Sequence, residues 1–359
     1  LRVALSGDGN VFAVAALREF SDVTVYPRKG FVSVFSLTDQ GTRWSRRGGS
    51  DLGGAGIMDK ETRMSMALSG DGSVLAIGSP WKSVSATVRE GQVVVLEWDG
   101  HAWQQRGNAI NGVRYKEAFG YAVALSGDGS VLAASGGMLD ATDATDIMST
   151  AHKTRVYVWD GQRQWTQRGT DLEPGSSLSL SASGTILAAG NPFGFATSFG
   201  VVQVYRWATS TLKWVQHSDT LQSGVYDAQS AIKVNFGWSV SLSHDGSTLA
   251  VGAPELLKNH GRGFCRVYKY NDAIKTWKQM GQDMIGEDVV ERIDRSLTTD
   301  TGFGNSVALS ADGHTVIVGA PFHSDRHAKL DGMAQVFRFQ EQGGIGGKGQ
   351  WARVGPNQG

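Results

Sequence analysis

One cysteine and seven prolines are all that 359 residues contain of the two types. With Cys265 alone, no disulfide can close within the chain and no redox compartment can be read from it. Cys265 lies in the apolar stretch Phe264-Cys265-Arg266-Val267-Tyr268, where a packed thiol is expected rather than a reactive one. Scarce proline beside 48 glycines excludes a collagen-like or Pro-rich disordered chain and fits many tight turns between short strands. Neither sign of charge is in excess: Lys+Arg and Asp+Glu each total 34. That argues against a broad electrostatic footprint for nucleic acid or an anionic membrane. No apolar run approaches the ~20 residues of a membrane helix. There is no Asn-x-Ser/Thr sequon, no signal-peptide pattern and no initiating Met, from which a mature or trimmed segment is expected. Also missing are Gly-x-Ser-x-Gly, a phosphate loop and a paired His-Cys arrangement.

What is present is one sentence written six times. Val307-Ala308-Leu309-Ser310-Ala311-Asp312-Gly313 recurs as Val3-Ala4-Leu5-Ser6-Gly7-Asp8-Gly9, and with related residues around Leu68, Leu125, Leu180 and Leu242. The intervals between these leucines are 63, 57, 55, 62 and 67 residues. Each interval holds four strand-like segments, A to D. Strand A is Val-Ala-Leu-Ser and strand B is the apolar run after Asp-Gly, such as Val74-Leu75-Ala76-Ile77. Strand C is bulkier, as in Val156-Tyr157-Val158-Trp159. Strand D carries Trp44, Trp103, Trp165, Trp214, Trp277 or Trp351. Short strands that are apolar on both parities imply sheets covered on both faces. Asp-Gly reads as a two-residue hairpin turn. Repeated four-stranded antiparallel sheets buried on both faces predict an all-β fold, a β-propeller. The blades are expected at 1–52, 62–110, 119–172, 175–222, 236–286 and 303–359, in one domain over 1–359. The alternative is a seven-bladed array with one blade outside this segment.

Phe303-Gly304-Asn305-Ser306-Val307-Ala308-Leu309 followed by Val318-Gly319-Ala320-Pro321 resembles the FG-GAP repeat, the blade unit of integrin-α-type propellers. Phe236-Gly237 with Gly252-Ala253-Pro254 matches it too, while Phe119-Gly120, Gly78-Ser79-Pro80 and Gly190-Asn191-Pro192 keep parts of it. The resemblance implies adhesion or matrix roles, and a calcium-binding acidic loop in the A–B hairpin. This chain departs from that loop, because Asp8, Asp71, Asp128, Asp245 and Asp312 each stand alone. A structural turn is expected there rather than calcium, and no cofactor is expected.

Two loops hold weaker metal candidates: Asp140, Asp143 and Asp146, and His323, Asp325 and His327. Both read as solvated loops, since neither offers a full ligand set. The B–C and D–A connections are long and variable, and in an up-and-down blade they share one face. Trp81, Tyr115, Lys116, Tyr226, Arg292 and Arg295 are the candidate binding residues of that face, because exposed aromatics and Arg are typical anchors. The function expected is therefore a non-enzymatic adhesion or assembly propeller, extracellular or at the cell surface. It would bind a protein partner through the long loops, with no nucleic acid and no membrane insertion. One alternative is a propeller enzyme acting on a glycan or other polymer near the central channel, for which Asp51, Asp140 and Glu287 are candidate acids. Another is a structural subunit of an extracellular filament or sheath.

Overall fold

The computed structural model describes residues 2–17, 30–38, 41–52, 64–83, 90–114, 116–137, 152–194, 200–224, 235–254, 262–286, 301–323, 332–341 and 349–355. The fold is a β-propeller of six antiparallel blades, each with strands A, B, C and D in that spatial order. The chain divides into two compact units, Leu1–Thr185 with Trp207–Trp214, and Ile186–Arg206 with Val215–Gly359. No helix occurs among the described residues, so none is long and apolar enough to cross a membrane.

Three sheets carry a short fifth strand, and its register explains it. In blade 2, strand C (Gln92–Trp98) pairs with Trp103–Gln105 at one end and with Ile110–Asn111 at the other. Both segments lie along strand C, so they are two halves of one strand D. Between them, Arg106 and Gly107 bulge out, with Gly107 at φ 77°, as an extra residue on a strand requires. Glycine stands at this place in every blade except the fourth, where Ser218 adopts φ 86°.

That bulge locks neighbouring blades together. Within the first unit, the indole N–H of Trp103 donates to the carbonyl of Arg47 at 3.2 Å, and that of Trp165 to Arg106 at 3.0 Å. Trp214 donates likewise to Arg168 at 2.9 Å. Within the second unit, Trp277 donates to His217 and Trp351 to Met280. Each accepting residue lies three positions after the tryptophan of its own blade. Its side chain also covers an aromatic pair of the next blade: Arg106 sits over Trp159 and Trp165, Arg168 over Trp207 and Trp214, and His217 stacks on Tyr270. The arginine contacts, being cation–aromatic, each stabilise by about 0.5–2 kcal/mol.

A second lock joins the Phe-Gly and Gly-x-Pro residues. Phe119, Phe236 and Phe303 are fully buried, each edge-on to an aromatic of its own strand C: Tyr157, Tyr268 and Phe337. The glycine that follows brings its backbone onto the preceding blade, where Ser65 donates to the Gly120 carbonyl and Ser239 to that of Gly304. Gly78 and Gly252 leave the room for that approach.

The A–B connection corrects one expectation. Asp-Gly is not a two-residue turn, since only the glycine has positive φ and four residues separate the paired Ser310 and Thr315. In blade 5, Asp245 accepts from Ser243 Oγ at 2.6 Å and from the Ser247 amide at 2.9 Å, while Ser243 Oγ accepts from the Thr248 amide. Such side-chain bonds to the local backbone make a wider Asx-closed loop. Its backbone also reaches the next blade, as when the Gly70 amide donates to the Gly127 carbonyl at 2.7 Å.

Candidate functional site

The long-loop end of blade 3 is the most highly charged buried place among the described residues. Strand C here is Thr154–Trp159, and its second residue is Arg155, almost fully buried. An isolated guanidinium there would be costly, so partners are required. Two carboxylates provide them. Glu117, fully buried at the end of the blade 2–3 connection, lies 2.6 Å from Arg155 Nη2 through Oε1. Its Oε2 accepts from the amides of Val113 and Arg114 at 2.7 and 3.1 Å. Asp171, in the second half of strand D, accepts from Arg155 Nε at 3.2 Å and from Gln167 at 3.1 Å. Arg114 caps the group, 3.1 Å from Asp171 and 3.8 Å from Glu117. The side chains of Arg114 and Asp171 are 40% and 28% exposed, so the cluster has a solvent-facing edge.

Burial pushes the Asp171 carboxyl up, but the Gln167 hydrogen bond and the charges of Arg155 and Arg114 outweigh it and hold the group below the usual carboxylate range. Burial likewise works against the charge of Arg155, and Glu117 and Asp171 overcome it. The Tyr157 hydroxyl beside Arg155 is pushed up by burial. An ionised, part-exposed carboxylate beside a part-exposed guanidinium can take a proton from water and stabilise negative charge developing on an oxygen.

Blade 5 holds a simpler relative of this arrangement. Arg266 grips Asp283 with two hydrogen bonds of 2.7 and 2.6 Å and donates to the Ser223 carbonyl. Among the described residues it meets no second carboxylate. In blade 3, Ser135 Oγ and both ring nitrogens of His152 are buried without partners among the described residues. Pairing of Ser135 with Thr154 puts Ser135 on the sheet face opposite Arg155, outside the cluster.

Of the binding residues expected from sequence, Trp81 and Lys116 are described, both half-buried, and Lys116 adopts φ 53°. Tyr115, Tyr226, Arg292 and Arg295 lie outside the described residues, as do Asp140, Asp143, Asp146, Asp325, His327 and Glu287. His323 is described, with its amide bonded to Ala320. Asp51 is engaged by Arg46 and Ser33 of its own blade. No group of three or more metal-ligating side chains occurs among the described residues. Glu117, Arg155, Asp171 and Arg114 were not anticipated, although an arginine inside an apolar strand was itself a signal that carboxylates must converge on it.

No family model matches the chain, and no curated protein matches it in sequence. Solved structures do. The periplasmic gluconolactonase of Pseudomonas aeruginosa is similar at 18% identity and a TM-score of 0.53, over 98% of this chain and 84% of that one. A Bacteroides uniformis protein assigned as a 6-phosphogluconolactonase is similar at 11% identity and 0.53, over 96% and 81%. Sqt1 from Chaetomium thermophilum follows at 14% identity and 0.50, over 94% and 68%. At these identities the likeness is one of fold. It nonetheless corrects the expectation of a non-enzymatic adhesion or assembly propeller, because propellers named as lactonases match nearly the whole chain.

Proposed function

We propose that this chain is a propeller hydrolase acting on a sugar-derived lactone, with its reacting groups at the long-loop end of blade 3. The observation that carries the reading is the Asp171–Arg114 pair at the open edge of a buried Arg155–Glu117 ion pair. Asp171 is the general base that takes a proton from an attacking water, and Arg114 stabilises the oxyanion formed at the lactone carbonyl. As that intermediate collapses, the acyl C–O bond of the ring breaks and the proton on Asp171 passes to the leaving ring oxygen. Arg155 and Glu117 position both, since Arg155 reaches Asp171 and Glu117 reaches Arg114. The carboxylates favour a lactone over a glycan. Glycoside cleavage needs one protonated carboxyl group to donate to the leaving oxygen. Here Asp171 accepts only from N–H donors and is held below the usual carboxylate range, so it does not supply that proton near neutral pH. The names of the solved lactonases support the same substrate class. A periplasmic or otherwise exported location belongs to the same reading and rests on the periplasmic relative alone.

A panel of aldonolactones and aryl glycosides tests this by acid release and by aryl-group release. Turnover of a lactone and none of the glycosides is expected. Glycoside turnover, or no turnover of either class, would sink the proposal.

A further inference from the structure

Blades 3 and 5 carry the same three side-chain types at the same positions and use them differently. Arg155 and Arg266 stand two residues before Tyr157 and Tyr268, which pair with Leu132 and Leu249. Asp171 and Asp283 each follow the strand D tryptophan by six residues, and Gln167 and Gln279 follow it by two. Both glutamines are anchored alike. Each donates to the carbonyl of the bulge glycine, Gly169 or Gly281, and to Oδ1 of its aspartate.

In blade 5 the guanidinium closes on both carboxylate oxygens, Nε on Oδ1 at 2.7 Å and Nη2 on Oδ2 at 2.6 Å. That two-bond fork is the geometry in which arginine and carboxylate fit best. In blade 3 only half of the fork forms. Arg155 Nε reaches Asp171 Oδ1 at 3.2 Å, but Nη2 lies 2.6 Å from Glu117 Oε1 instead. Glu117 is held in place for this, because its Oε2 accepts from the amides of Val113 and Arg114. Among the described residues, Asp171 Oδ2 is left with Arg114 Nη2, at 3.1 Å on the solvent-facing edge.

Resting on the hydrolysis proposed above, we infer that Glu117 is a positioning residue, which draws the Arg155 fork off Asp171 and keeps Oδ2 open as the oxygen that takes the proton from water. A carboxylate oxygen has two lone-pair sites, so Oδ2 keeps one for the water while Arg114 holds the other. Oδ1 already accepts from Gln167 and Arg155 and has none to spare. The proton that lands on Oδ2 is the one later passed to the ring oxygen, so the carboxylate ends the cycle unchanged. Asp283 is then a structural carboxylate and Asp171 a reactive one, and Glu117 makes the difference.

Two variants of the whole chain separate charge from shape. Glu117→Gln keeps the length and an oxygen for the two amides but has no charge to hold Nη2. Glu117→Asp keeps the charge and loses one methylene. Crystal structures give the first readout: Arg155 should close on both oxygens of Asp171 in Glu117→Gln, and not in Glu117→Asp. Aldonolactone turnover gives the second: kcat should fall at least about tenfold in Glu117→Gln with KM little changed, and less in Glu117→Asp. An Arg155 that stays off Oδ2 in Glu117→Gln overturns the inference, whether or not any lactone is hydrolysed. An Arg155 that closes on Oδ2 with kcat unchanged overturns it equally, because Oδ2 is then not the reacting oxygen. So does a Glu117→Asp chain slower than Glu117→Gln, since shape rather than charge would then matter. An unchanged chain that hydrolyses no lactone sinks the proposed function and the role of Oδ2 with it, while the crystal structures still decide whether Glu117 holds Arg155 away.

Discussion

A side chain at Gly78 would overlap the carbonyl oxygen of Gly120, the glycine that follows the buried Phe119 in the next blade. The same relation joins Gly252 to Gly304. Strand B of one blade and the Phe-Gly turn of the next therefore meet backbone to backbone. Gly78→Ala and Gly252→Ala should each destabilise the fold by about 1–3 kcal/mol, the range for overpacking a close contact. Chemical denaturation measures this. Gly100, with open space around it, serves as a control for added bulk, although its positive φ carries its own strain.

Phe119 should be the costliest single truncation in the first unit. It is fully buried between Tyr157 and the apolar residues of blades 2 and 3. Phe119→Ala should cost about 3–5 kcal/mol. A loss below 1 kcal/mol would show that this blade interface is not packed as described.

The bulge clasp makes a more selective prediction. Arg106→Ala should lose roughly 1 kcal/mol through its contacts with Trp159 and Trp165. Arg106→Met should recover part of this, because Met280 occupies the same place beside Phe339 and Trp351. If the methionine variant is no better than alanine, the covering of the aromatic pair is not what stabilises the joint.

Stability should fall in acid through the A–B loops. Burial raises the Asp245 carboxyl, but hydrogen bonds from Ser243 and Ser247 and the charge of Lys269 bring it down to about 2. Asp8, Asp71, Asp128 and Asp312 are also held below the usual carboxylate value. A carboxylate depressed in the folded state gives stability that is full above its unfolded value of roughly 4 and lost as pH falls toward the folded one. The melting temperature should therefore drop between about pH 4 and pH 2, and Asp245→Asn should make that drop shallower.

Much of the fold was legible because it is written locally and repeated. Ser-x-Asp-Gly in five blades, the strand D tryptophan in six and the Gly-x-Pro stop in four each fall at one place in a blade, so repetition exposes the pattern. The clasps were not legible, because Trp165 finds its acceptor on Arg106, a whole blade earlier. The candidate site was hidden for the same reason. Glu117, Arg155 and Asp171 come from three separated stretches that only strand pairing and a loop crossing bring together. The long loops drew attention to the end of the blade where the charged group lies, yet that group sits at strand ends rather than at loop tips.

The central claim rests on Asp171. Because Arg155 and Arg114 keep it ionised, lactone hydrolysis should hold constant from neutral pH downward and fall only below the usual carboxylate range. The most direct test is a pH-stat assay of aldonolactone hydrolysis with the unchanged chain and with Asp171→Asn, after both show the same melting behaviour near neutral pH. The account predicts a loss of at least about a hundredfold in kcat for the asparagine variant, the scale of general base catalysis, with KM little changed. A folded Asp171→Asn chain that hydrolyses the lactone at the unchanged rate would contradict it.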